Sequence, residues 1–170
     1  MCYIQQSDFI AECWDYNIVY RMLYIDSDDI PEIHVDLSTW GLGPGSLVLS
    51  YQNGKVYEQK VATEDGYLSY AERGGALAGD SGRQGCYYQE VYKLSTNGFN
   101  LLGDDSYGFE YPTGDWNNME HDCCWNGKSV SLSEYEVKKK AFSGGKKWKT
   151  AGGDEPSGNY SWLMNQLKSK

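Results

Sequence analysis

Four carboxylates, Asp26, Asp28, Asp29 and, past Ile30-Pro31, Glu32, stand in one short stretch between two apolar runs. Carboxylates two residues apart, closed by another four further on, form the skeleton of a loop that wraps a hard cation. With Asp26 at position 3 of a calcium loop, Asp28 falls at 5, the Ile30 carbonyl at 7 and Glu32 at 9. Tyr24 then takes position 1 and Asp29 takes position 6, where such loops carry an oxygen ligand and a glycine. The register that starts at Asp26 leaves Ile30 at position 5. The candidate metal set is therefore Asp26, Asp28, Ile30 and Glu32, with calcium as the candidate cofactor. The plain alternative is a solvated acidic turn joining two strands.

Other residues invite chemistry with less support. Gly79-Asp-Ser-Gly82 has the look of a serine-protease nucleophile loop, which needs a histidine base and an orienting aspartate. His34 is the one upstream histidine, too close in sequence for two complete barrels, so a glycine-rich loop is the better reading. His121-Asp-Cys-Cys124 packs metal-ligand types into four residues. On a strand His121 and Cys123 face one way while Asp122 and Cys124 face the other. A zinc site needs a second cluster at knuckle spacing, and none is present, which favours a structural role. Lys138-Lys-Lys140 and Lys146-Lys-Trp-Lys149 suit an anionic surface, cell-wall polymer or phospholipid headgroups, or simply a solvated helix face and connector. Trp40, Trp116 and Trp125 are candidates for stacking on sugar rings, against the alternative of filling a β core.

The composition sets the frame for these residues. The chain has 170 residues with 15 tyrosines, 6 tryptophans and 20 glycines, a balance that favours strands and turns over helices. Its net charge of −9 is uneven: from Lys128 onward 9 lysines stand against 4 acids, while the first 127 residues carry 6 basic and 20 acidic side chains. An acidic body disfavours nucleic acid, because phosphates require clustered Lys and Arg. No apolar run reaches the length of a membrane span, and no basic region followed by an apolar one marks a leader. The five cysteines are irregularly spaced and do not outline a disulfide framework.

The elements that position these groups follow from pattern. Ser7-Asp8 caps a short helix bearing Phe9, Ile10, Cys13 and Trp14. Residues 18–25 and 32–37 read as strands flanking the acidic turn, with Ile33, Val35 and Leu37 on one face. Residues 40–45 read as a loop. Leu47–Tyr51 and Val56–Val61 form a hairpin around Asn53-Gly54, a pair suited to positive φ at both turn residues. A strand is expected over 66–71, a loop over 74–85, a strand over 86–94 turning at Ser95–Gly98 into 99–102, and mostly loop over 103–118. Residues 119–125 and 128–130 form a second Asn-Gly hairpin. Ser131-Leu-Ser-Glu134 is a capping box opening a helix to about Phe142, with Leu132, Tyr135 and Phe142 inward. Residues 146–158 read as a polar, flexible connector, and Tyr160–Lys168 as a helix returning Trp162, Leu163 and Leu167 to the body.

YIDSDDIPEI resembles the D-x-D-G-D-G-I-P-E-L segment of secreted or lipid-anchored proteins of Gram-positive bacteria and, more distantly, the calcium loops of FG-GAP propeller blades. Tyr51-Gln-Asn-Gly-Lys55 matches the Y-x-x-G-K turn of the bacterial group. Asn126-Gly-Lys-Ser-Val-Ser-Leu-Ser-Glu-Tyr135 matches its N-G-K-x-V-S-x-x-E-Y segment. The resemblance implies a secreted β-rich domain with no known catalytic role, and carries calcium ligands onto Asp26, Asp28 and Glu32. Tyr24, Ser27 and Asp29 replace the first aspartate and both glycines of that pattern.

The combined expectation is an α+β, mostly β fold: a curled antiparallel sheet of about six to eight strands with one N-terminal and two short C-terminal helices. Residues 1–145 make one β-rich domain, and 146–170 a basic connector and helix packed on it. The expected function is a non-enzymatic extracellular or cell-surface binding module, its partner a protein or a surface polymer. The alternative is a cytoplasmic acidic partner-binding protein of the inhibitor or immunity type.

Overall fold

The computed structural model describes residues 18–37, 45–63, 66–83, 85–109 and 119–169. The expected N-terminal helix, Trp40 and Trp116 lie outside these residues. Two antiparallel sheets replace the single curled sheet expected from the pattern. β1 (Val19–Leu23), β2 (Glu32–Asp36), β3 (Ser46–Gln52) and β4 (Lys55–Val61) form a meander in the first. The chain then crosses over, and β5 (Tyr67–Ala71), β6 (Ala76–Arg83), β7 (Cys86–Ser95), β8 (Gly98–Gly108), β9 (Glu120–Trp125) and β10 (Lys128–Val130) form a second meander. The reason is the pattern itself: each meander has an apolar face, and one covers the other. Leu23, Ile25, Val48 and Val61 of the first meet Leu68, Tyr70, Leu77, Tyr92 and Leu94 of the second in one buried cluster. Each fully buried aliphatic there contributes on the order of 1.5–3 kcal/mol.

Both Asn-Gly hairpins form as expected. Asn53 and Gly54 have φ of 51° and 81°, and Asn126 and Gly127 have 52° and 69°. The glycines of 74–85 are a different matter, because that stretch is mostly strand β6 rather than loop. At Gly79 a Cβ would sit 2.1 Å from Val61 Cγ1 and 2.8 Å from the Ala62 carbonyl oxygen. This glycine marks close approach of the two sheets, not a turn. Gly79→Val is accordingly expected to destabilise the fold by at least about 2–3 kcal/mol, read as a lowered urea midpoint.

The expectation of mostly loop over 103–118 fails for 103–108, where β8 continues to Gly108, and its remainder from 110 to 118 lies outside the described residues. A bulge between Val91 and Tyr92 sets the register of the second half of β8 against β7.

After β10 come α1 (Leu132–Phe142), β11 (Trp148–Thr150), β12 (Ser157–Gly158) and α2 (Tyr160–Lys168). One expected C-terminal helix is thus set within the chain, between strands of the larger sheet. Ser131 caps α1 by accepting from the Glu134 N–H at 3.3 Å. The Glu134 carboxylate turns to Lys138 rather than back to the cap. Tyr135 is the buried residue of α1, Phe142 is half-buried, and Leu132 is exposed instead of inward. The stretch 146–158 adds an edge strand to each sheet, β11 on β5 and β12 on β1. Gly158 leaves room for the Trp162 ring, and Leu163 is buried on α2.

Candidate functional site

The acidic turn is organised by hydrogen bonds of its own. Asp26 accepts from the Asp28 N–H at 3.0 Å and from Gln52 at 2.6 Å, and Asp28 accepts from the Ile30 N–H at 2.7 Å. Glu32 points between the sheets, 1% exposed, accepting from the Ile25 N–H at 2.8 Å and the Ser50 hydroxyl at 3.1 Å. The carboxylate oxygens of Asp26, Asp28 and Glu32 do not all lie within 4.8 Å of one another. The cation at this turn is Arg73, from the β5–β6 turn. Its guanidinium donates to the carbonyls of Ser27 and Asp28, pairs with Asp29, and lies 5.0 Å from the centre of the Tyr24 ring. Arg73 N–H and Gly75 N–H donate to the Tyr24 and Ile25 carbonyls, so the turn ties one sheet to the other.

Beneath it runs a polar seam in the core. Alternation puts Glu32 and His34 on the face of β2 that looks at the second sheet. His34 is 2% exposed; its Nε2 lies 2.9 Å from Ser46 Oγ, which is 3.1 Å from Thr63 Oγ1. Its Nδ1 is, among the described residues, the buried side-chain polar atom without a hydrogen-bond partner. Burial pushes Glu32 up to about 7, with the nearby Asp26 charge raising it further against the hydrogen bonds from Ile25, Ser50 and its own backbone. Burial, helped by Arg21, pushes His34 down to about 4. Sequence pattern gave no warning of this seam, because β2 reads as a strand whose apolar residues alone face inward. The Ser46–His34 pair has the contact distance of a nucleophile and base, yet it is sealed between the sheets. Ser81, the serine of the protease-like motif, sits on the other sheet.

The outer face of the larger sheet is where side chains of varied chemistry converge. The ladder sets Gln89 opposite Asp105 and Asp105 opposite Cys123, with Tyr87 opposite Tyr107 and Tyr107 opposite His121. All share one face. Tyr87, Tyr107 and His121 stack in a row with ring centroids 5.4 and 5.1 Å apart. His121 Nδ1 lies 2.7 Å from Asp105 Oδ2, and the Cys123 thiol donates to Asp105 Oδ1 at 3.3 Å. Burial, this hydrogen bond and the Asp105 charge push the Cys123 thiol up to about 12. Cys86, Cys123 and Cys124 are all free. The expected split of His121 and Cys123 from Cys124 across the strand is present. Asp105, the partner that joins them, is masked by the loop-like composition of 103–118; the signal that finds it is the shared face of Asp105 and Tyr107 on a strand.

α1 covers the apolar half of this face. Tyr135 packs edge-on against Trp125, itself buried rather than displayed for sugar. Tyr135 and Lys139 donate to Gln89 Oε1 at 3.2 and 2.6 Å, and Gln89 donates to Asp80 Oδ1 at 2.5 Å. Burial raises the Asp80 pKa against this hydrogen bond and the Lys139 charge. Between α1 and β11 lies a groove of about 600 Å³ floored by Tyr67, Asp80 and Gln89 and rimmed by Lys139, Lys140, Lys146, Lys147 and Lys149 around Trp148. Lys139 lies 5.6 Å from the Trp148 ring centre and Lys149 pairs with Glu72. A second groove of about 530 Å³, bordered by Glu72, Asp154 and Glu155, lies on the other side of β11. No described helix is long and apolar enough to cross a membrane.

Comparison of the chain with protein-family models, curated proteins and solved structures finds no match.

Proposed function

We propose that this chain is a non-enzymatic binding module that takes an anionic polymer along the lysine-rimmed groove between α1 and β11. The observation that carries the reading is charge placement: five lysines gather around Trp148 at one groove of a chain whose net charge is −9. The side-chain ammonium groups of Lys140, Lys146 and Lys147 have no hydrogen bond or ion pair among the described residues, which leaves them to a ligand. Trp148 and Tyr67 add faces on which a ring can rest. The non-enzymatic half of the reading is supported by the state of the nucleophile candidates. Ser46 is sealed in the core, Ser81 lies on the sheet opposite His34, and the Cys123 thiol is held far from thiolate.

The test uses inorganic polyphosphate as the probe, with binding followed over a range of salt. Affinity is expected to fall linearly on a log–log plot, as counterion release requires. The double substitution Lys146→Gln with Lys147→Gln should weaken binding at low salt and flatten that slope by about 2, one for each lysine. Binding that ignores salt, or a double variant indistinguishable from the parent, would sink the proposal.

A further inference from the structure

The cluster on the β8–β9 ladder carries an inference separate from the groove. Asp105, His121 and Cys123 present a carboxylate oxygen, an imidazole nitrogen and a sulfur, all within 4.8 Å of one another. Two neighbouring strands fix the three backbones, with Asp105 directly opposite Cys123 and His121 two pairs along, the next position on the same face. Sites built on strands hold their geometry better than sites on loops.

We propose that Asp105, His121 and Cys123 form an open-sided site for a single divalent transition-metal ion of the zinc class. Zinc bonds of 2.0–2.3 Å in a tetrahedron put ligand atoms about 3.3–3.6 Å apart. The 3.3 Å between Cys123 Sγ and Asp105 Oδ1 matches such an edge, whereas the 2.7 Å between His121 Nδ1 and the other carboxylate oxygen, Oδ2, is a hydrogen-bond distance that must open by about 0.6 Å when the ion enters.

The donor set selects the ion. Sulfur and imidazole suit zinc, cobalt and their neighbours, whereas calcium and magnesium want oxygen alone. Binding replaces the thiol hydrogen bond with a sulfur–metal bond, and the thiol proton leaves to the buffer. The thiolate and the carboxylate then balance the two charges of the ion in a place where Asp105 and Cys123 are 4% and 2% exposed.

The supporting shell is already in position. The Tyr107 ring stacks on His121 at an interplanar angle of 17°, which fixes the imidazole plane. Cys123 is backed by the Trp125–Tyr135 cluster. Asp122 and Cys124 point to the opposite face of the sheet and cannot supply a fourth ligand. His121 stands at the solvent edge, so the fourth position opens to water or to a small donor ligand.

Reduced, chelator-treated protein titrated with cobalt(II) tests the site. The expected result is one equivalent bound, with a thiolate-to-cobalt charge-transfer band and the intense visible bands of a tetrahedral ion. Zinc should displace it and calcium should not. Cys123→Ser and His121→Gln should each abolish the charge-transfer band or weaken binding by more than about tenfold, since loss of even an orienting partner costs that much. Cys86→Ser with Cys124→Ser should leave the band unchanged. A band that survives Cys123→Ser, or its absence from the parent protein, overturns the proposal.

Imidazole NMR of the unmutated chain gives an arm that does not depend on variants folding. The chain has two histidines, so His34 serves as the internal control. Zinc should shift the His121 resonances and leave those of His34 in place. Both unmoved, or both moved alike, overturns the site.

Discussion

A Glu32→Gln variant is expected to lose stability steadily as pH falls from about 6.5 to about 4, and a His34→Gln variant to lose it as pH rises from about 4.5 to about 7. The parent chain should show neither trend from this pair across the shared window. The signs follow from the shifts. Glu32 goes from an ordinary 4.5 up to about 7 on folding, so the folded state favours its protonated form. Its contribution is complete below 4.5 and is lost as pH rises through 7. His34 goes from 6.5 down to about 4, so the folded state favours the neutral ring. Its contribution is complete above 6.5 and is lost as pH falls through 4.

Each shift corresponds to about 3 kcal/mol at about 1.4 kcal/mol per pH unit, and the two slopes oppose each other between 4.5 and 6.5. The charged groups around the pair are Asp26 for Glu32, and Arg21, Asp36 and Glu155 for His34. Urea unfolding of the parent and both variants at four or five pH values resolves the difference. Three parallel curves would show that the seam does not titrate with folding.

Tyr135→Ala should cost about 3–5 kcal/mol, the range for removing a fully buried aromatic ring. The residue is 0% exposed and is the one buried side chain of α1. Its ring lies 5.7 Å from that of Trp125 at 78°, an edge-to-face contact, and over Gly103, whose missing side chain makes room for both rings. Without the ring, α1 has only the half-buried Phe142 and polar contacts to hold it. The groove wall carrying Lys139 and Lys140 should move with it, so polyphosphate binding should fall in the same variant. Tyr135→Phe keeps the packing and removes only the hydrogen bond to Gln89, a loss of about 1 kcal/mol. Equal costs for the two variants would show that the ring does not anchor the helix.

Local chemistry was legible wherever the chain spends residues on local rules. Both Asn-Gly hairpins, the Ser131 cap and the Tyr160–Lys168 helix are set by nearest neighbours, and pattern reading placed them well. Close packing imitates turn chemistry at Gly79, so β6 reads as loop until Val61 is seen against it. Along Asp104–Gly108 two adjacent aspartates, a serine, one tyrosine and a glycine give no apolar alternation, on a strand whose two faces are both partly wet. Pattern alone therefore marks His121 and Cys123 but not Asp105. The turn at Asp26–Glu32 is a related case: its carboxylates have ligand spacing, yet they cap their own backbone and hold Arg73. Spacing reports which atoms are near in sequence; the partner strand or turn decides what they face.

The stretch between α1 and α2 has a kinetic meaning beyond its place in the sheets. β11 covers the flank of β5 and β12 that of β1, though the chain reaches both long after the strands they cover. Among the described residues, β1 and β5 are each left during synthesis with one unpaired flank of amides until this one segment emerges. An unpaired ladder is a template for another copy, and long-range closure is slow. Nascent or truncated chains lacking residues 146–158 would thus be the species most prone to self-association. The order of translation, rather than the stability of the finished fold, sets the interval of greatest risk.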